Sequence, residues 1–186
     1  MNLSHGAPMF LLSAVVLMAG CSSAKTPAPV ADAGLGAVAS AVASIASTAG
    51  NTARGTVVFY EMKDGSVRVV ADLEGLAPGQ QHAMHVHEKG DCSAADGTSA
   101  GGHYNPGQHD HALPPTEPRH AGDLGNVTAD ASGKAHYEIT VSNLSIRGAS
   151  NPIDGRAVIV HAKADDGGQP VGNAGARLGC GVIIAR

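Results

Sequence analysis

Tryptophan is absent, and the 186-residue chain carries only two phenylalanines and three tyrosines. With 43% of residues hydrophobic there is enough for a core, which must be built mostly from Val, Ile, Leu and Ala. Charge is sparse as well: 12 Lys and Arg against 16 Asp and Glu give a net charge of −4. That balance offers no basis for binding nucleic acid, and a mildly acidic surface mainly aids solubility. No helical hydrophobic period appears. The apolar run at residues 9–20, MFLLSAVVLMAG, is far shorter than the roughly 20 residues a membrane span needs. Cysteine is scarce too, with three in the chain. The length suits one domain with an appendage.

The apolar run ends in small residues directly before Cys21, as an export signal does. LMAGCSS resembles a bacterial lipoprotein processing site, at which the cysteine becomes the lipidated first residue of the mature protein. Met18 stands where Leu is usual, and MNLSHGAP has neither Lys nor Arg. The expectation is a signal peptide over residues 1–20, lipidation at Cys21, and a periplasmic or cell-envelope location with a lipid anchor. Residues 21–50 read as a flexible tether, since fourteen of the twenty residues 31–50 are Ala, Ser or Gly. AVASAVASIAS is too short to hold a helix alone, so disorder is expected there. The domain proper then covers residues 51–186. With Cys21 spoken for, Cys92 and Cys180 remain, and an even pair in an exported domain reads as a disulfide.

From Thr52 the pattern turns to short β-type runs. TARGTVVFYEM is followed by the turn KDGS and by SVRVVADLEGL, in which Val67, Val69 and Ala71 alternate with Arg68, Val70 and Asp72. HAMHVHE, LGNVTAD, AHYEITV, RAVIVHA and CGVIIAR follow, separated by turn residues. Turns such as DG and SGK between alternating runs favour antiparallel pairing, and the fold class is all-β, a sandwich or barrel. Residues 90–123 and 163–178 show no alternation. Long loops of this kind in a compact domain are usually functional or disordered, and the histidines in the first favour function.

Nine of the ten histidines fall between His82 and His161. His85 and His87, two apart on an expected strand, leave the same face and suit one metal ion. His161 ends another strand. The first loop adds His103, His111, His120 and Asp123 in the spacing H-x7-H-x8-H-x-x-D. Imidazoles suit copper and zinc, and three histidines with one aspartate make a closed four-coordinate zinc site. Seven donors cannot fill two four-ligand sites unless one is shared. Imidazole has two nitrogens, so one bridging histidine is expected, though donor counting does not say which. His82, His109 and His136 read as hydrogen-bonding or surface groups.

AMHVHEKGDC, GGHYNP, RHAGDLGNV, GRAVIVHAKADD and GNAGARLGCGVI resemble successive motifs of the Cu,Zn superoxide dismutases, in family order and across essentially all of residues 52–186. The resemblance implies an eight-stranded antiparallel Greek-key barrel with two long functional loops. It implies one copper per chain on His85, His87, His103 and His161, and one zinc on His103, His111, His120 and Asp123, with His103 as the bridge. Asp165 matches the aspartate that hydrogen-bonds one ligand of each metal, Cys92 and Cys180 match the family disulfide, and Arg177 matches the arginine that receives the anion. His103 and Arg177 would be the catalytic pair. Met84 and Ala83 replace the bulkier Phe and the Gly common before the first copper ligand, an apolar change that bears on packing. The implied activity is disproportionation of superoxide to dioxygen and hydrogen peroxide, protecting the cell envelope. A homodimer is among the assemblies the family forms. The alternative is a periplasmic copper or zinc buffer without turnover, marked by loss of a copper ligand or of Arg177, and neither is missing.

Overall fold

The computed structural model describes residues 1–3 and 36–186. All but the first three residues of the expected signal peptide, Cys21 and the first part of the expected tether lie outside the described residues. Among the described residues no helix is long and apolar enough to cross a membrane.

Eight strands follow one another: β1 (Ala37–Ser47), β2 (Arg54–Met62), β3 (Val67–Glu74), β4 (Gln81–His87), β5 (Asp123–Thr128), β6 (Ala135–Val141), β7 (Ala157–His161) and β8 (Arg177–Ala185). They form one sheet in the order β5-β4-β7-β8-β1-β2-β3-β6, antiparallel at every pairing. The β3–β4 and β6–β7 connections jump across that order, which is the Greek-key signature. The sheet curls into a nearly closed barrel. At the seam between β5 and β6 the Tyr137 hydroxyl donates to the Leu124 carbonyl at 2.7 Å.

Alternation explains the strands. On β3, Val67, Val69, Ala71 and Leu73 are buried while Arg68 and Asp72 turn outward, as their period requires. Phe59, Met84, Leu124 and Ile183, all fully buried, fill the middle with Val57, Val86, Val127, Val158 and Val160. Met84 therefore packs as a core side chain.

One expectation is overturned. The stretch assigned to a flexible tether is in large part β1, a strand held on both sides. Val42 sits opposite Val58 of β2 and opposite Ile184 of β8. Ala41, Ala43 and Ile45 point into the core, while Ser44 and Ala46 face out. The domain thus begins by Ala37. Small side chains hid the period-two pattern, yet they fit this position. Gly181 of β8 lies so close that an added Cβ would stand 2.5 Å from the Ser44 carbonyl oxygen. Ladder hydrogen bonds to two neighbours outweigh the poor strand propensity of alanine.

Two loops leave the barrel on the side that matters for function: residues 88–122, containing a 3-10 turn at Thr98–Ala100, and residues 162–176. Cys92 and Cys180 form a disulfide with Cα atoms 5.7 Å apart, tying the longer loop to β8. Closing the 88-residue interval contributes at most about 4–5 kcal/mol by restricting the unfolded chain.

Ala43→Asp tests the reassignment of β1. A carboxyl group at this fully buried position is expected to destabilise the domain by about 3 kcal/mol or more in urea unfolding. An unchanged midpoint would mean that residues 37–47 are not part of the barrel.

Candidate metal centre

On β4 the core takes Met84 and Val86, so His85 and His87 leave through the outer face of the barrel. The longer loop folds back over that face. Tyr104 donates its N–H to the Val86 carbonyl at 2.9 Å, and Val86 donates to the Gly122 carbonyl at 2.9 Å. An isolated bridge pairs His87 with His103. His161 ends β7 beside them, His111 and His120 come from the same loop, and Asp123 opens β5.

Two groups of donors result. His85, His87, His103 and His161 form one, and His103, His111, His120 and Asp123 the other, with ligand atoms in each group within 4.8 Å of one another. His103 is common to both. Its ring centroid lies 4.0 Å from that of His85 and 5.4 Å from those of His111 and His120. All seven residues are buried.

Hydrogen bonds fix which nitrogen is free in four of the six rings. His87 Nδ1 donates to the Gly101 carbonyl at 2.9 Å, and His161 Nδ1 lies 3.4 Å from the Gly175 carbonyl. His85 Nε2 and His111 Nε2 donate to the two oxygens of Asp165 at 2.9 and 2.8 Å. What remains is His85 Nδ1, His87 Nε2, His161 Nε2 and His111 Nδ1, each buried and without a hydrogen-bond partner. Four lone pairs left unsatisfied in a protein interior are costly unless something fills the space between them. A metal ion does so, and the residues fit one.

The spacings within the second group suit four ligands around one small ion. Asp123 Oδ1 is 2.9 Å from His103 Nδ1 and 3.4 Å from His120 Nδ1, and its Oδ2 is 2.9 Å from His111 Nδ1. His103 Nδ1 and His120 Nδ1 are 3.3 Å apart. Arms of about 2.0 Å to a central ion give tetrahedron edges of about 3.3 Å. The His111–Asp123 approach is short yet not aligned as a hydrogen bond, as expected of two groups facing a common ion.

The electrostatics keep five of the imidazoles neutral. Burial lowers His85 from its ordinary value to about 4, His161 to about 3 and His87 to about 2. Burial also lowers His103 and His120. For the carboxylates burial acts in the other direction but is outweighed. Hydrogen bonds from His85, His111 and the Gly167 backbone hold Asp165 well below the usual range. The His103 hydrogen bond and the neighbouring rings do the same for Asp123. Neutral rings and ionised carboxylates are the state a divalent cation binds.

Arg177, at the start of β8, is half-buried at the mouth of a cleft that it lines with His87, His103, His161 and Lys163. Its Nη1 donates to the Gly97 carbonyl at 2.8 Å and its Nη2 to the Gly101 carbonyl at 2.6 Å. Gly101 thus holds both the guanidinium and the His87 ring. Every ligand candidate, Asp165 and Arg177 fall in this one region.

The other histidines stay out. His82 is fully buried and donates to the His161 carbonyl at 2.8 Å, His109 is exposed, and His136 makes a surface contact to Asp72 at 2.7 Å. Sequence reasoning missed supporting residues, Asn126 and Arg119 among them. Asn126 exchanges hydrogen bonds with the Asp165 backbone at 2.9 and 2.7 Å, and buried Arg119 donates to the Asp123 carbonyl at 3.2 Å. No spacing rule announces either.

The Copper/zinc superoxide dismutase family matches residues 53–183 of the chain. This chain belongs to that family. It is 46% identical over 138 residues to the "Superoxide dismutase [Cu-Zn]" of Paramecium bursaria Chlorella virus 1, covering 70% of this chain and 72% of that protein. It also resembles the solved structure "Crystal Structure Analysis of the clock protein EA4", with TM-score 0.70 and 40% identity over 77% of this chain and 92% of that one. As a copper/zinc superoxide dismutase it is an enzyme that disproportionates superoxide with both metals.

Metal-free superoxide dismutase should lose stability on mild acidification. The three strongly lowered histidines bind protons in the unfolded chain near pH 6.5 but in the folded one only near pH 4 or below. The unfolded state therefore gains protons first, and stability falls with pH across that window, with the lowered Asp123 and Asp165 adding to the loss at its acid end. Melting temperatures of chelator-treated protein should fall steadily from pH 7 to 4.5. A flat profile would contradict burial of neutral rings.

Proposed function

We propose that His85, His87, His103 and His161 hold the copper, that His103, His111, His120 and Asp123 hold the zinc, and that Arg177 and His103 do the catalytic work. The observation that carries this reading is the direction of the free nitrogens: hydrogen bonds on one side of His85, His87 and His161 leave a lone pair on the other, all converging with the His103 ring. Three imidazoles and a carboxylate suit zinc, while an all-imidazole set suits copper. Copper bound there would supply the one-electron couple of the reaction, and zinc a fixed positive charge on the far side of the shared ring.

Each turnover consumes two superoxide anions and two protons and yields one dioxygen and one hydrogen peroxide. Arg177 attracts the anion and orients it at the cleft, a task for a guanidinium that stays charged at any working pH. Its two carbonyl anchors keep it aimed without neutralising it. His103 holds its Nδ1 beside Asp123, which leaves Nε2 as the atom that takes a proton from solvent and delivers it to the reduced substrate. Burial lowers the proton affinity of this ring, so that proton is readily given up. Asp165 keeps His85 and His111 in fixed tautomers throughout.

The same reading places the enzyme in the periplasm or cell envelope, anchored through a lipidated Cys21 and protecting the envelope from oxidative damage. The apolar run ahead of Cys21 supports it, and so does the Cys92–Cys180 bond, since such bonds persist in oxidising compartments. A homodimer is part of the proposal. Val42 and Ile184, opposite one another on β1 and β8, give an outward apolar face, with Ile184 56% exposed.

His161→Ala separates the two sets. Superoxide consumption should fall at least about 100-fold while one zinc per chain remains, because only the first set loses a ligand. Activity near the native level, or loss of zinc along with it, would overturn the assignment.

A further inference from the structure

The shorter loop does more at the second set than offer Asp165. Asp166 knots it: its N–H donates to the Gly172 carbonyl at 3.0 Å, and its carboxylate accepts from the Gly168 N–H at 2.8 Å and from the Asn173 amide at 3.2 Å. Gly172 comes so close to Asp165 that an added Cβ would overlap its carboxylate. From this knot two side chains reach one residue, His111. Asp165 accepts from its Nε2, and Gln169 takes its backbone. The Gln169 Oε1 accepts from the His111 N–H at 3.1 Å, and the Gln169 Nε2 donates to the His111 carbonyl at 2.7 Å.

His111 has four polar atoms. Three of them, N, O and Nε2, are held by this one loop, and the fourth, Nδ1, is the buried lone pair that faces Asp123. The two Gln169 bonds resemble a rung of β-ladder made by a side chain. They fix the main-chain segment that carries the ring, while Asp165 fixes the rotation of the ring itself. Neither alone determines where Nδ1 lies. The segment lies outside the strands, and next to it the Ala112 N–H donates to Asp123 Oδ2 at 3.3 Å.

We propose that Gln169 is a positioning residue for the zinc ligand His111. The proposal rests on the zinc assignment above. Gln169 touches neither substrate nor metal and acts through His111 alone.

Gln169→Met preserves length and removes both hydrogen bonds. Chelator competition should show zinc affinity lowered about tenfold, in the range expected when a partner of a metal ligand is lost. With cobalt(II) as the probe in the zinc set, the visible ligand-field bands should move. The melting temperature should fall more for the zinc-loaded protein than for the metal-free one. Gln169→Glu keeps an oxygen for the His111 N–H but offers no donor to its carbonyl, and its zinc affinity should fall between the two. Unchanged affinity and cobalt spectrum would overturn the proposal. So would an equal drop in melting temperature with and without zinc, which marks a purely structural residue. His120→Ala serves as the control for the assignment beneath it: if that variant keeps native zinc affinity, the zinc set is misassigned, whatever Gln169 does.

Discussion

An imidazole buried away from water can keep one proton at no great cost, and the partner of that proton decides where its lone pair points. This constraint organises the whole centre. Burial lowers five of the rings, so they enter the interior neutral. Each N–H must then find an acceptor. Gly101 provides one for His87, and Asp165 provides one oxygen each to His85 and His111. A single carboxylate therefore sets the orientation of one ring in either group. Remove it, and two lone pairs lose their direction together.

The barrel supplies what loops cannot, a rigid wall with an alternating face. Because Met84 and Val86 are locked into the core, His85 and His87 have no choice of side. The loops complete the centre from outside and are themselves held at several points. The disulfide ties the longer loop to β8, the Gly101 carbonyl binds Arg177 and His87, and Arg119 holds the Asp123 backbone. Anion, ring and loop thus share anchors. A disturbance at Gly101 would be felt by the guanidinium and by a ligand at once.

The donors were legible because their chemistry is unusual and their spacing follows from strand geometry. His85 and His87 share a face whatever surrounds them, and the count of seven donors required a shared one; His103 is the residue common to both groups. The strands from Thr52 onward were legible for the same reason of period. β1 was not. Ala41 and Ala43 bury little area, and the serines around them mimic a linker, so its strand character comes from β2 and β8 rather than from its own residues. Asn126 and Gln169 were illegible in another way. Asn126 is a half-buried polar residue on β5 and Gln169 an exposed one in a turn, and the partner of each is a backbone far along the chain, reached only when the fold brings 126 to 165 or 169 to 111.

The shared ring of His103 can be tested most directly by electron paramagnetic resonance with copper(II) loaded into both sets. An imidazole ring bonded through both nitrogens couples the two unpaired spins, so the ordinary copper(II) signal should vanish on cooling as the pair settles into its spin-paired ground state. Two independent, uncoupled signals that persist at low temperature would show that no single ring joins the sites.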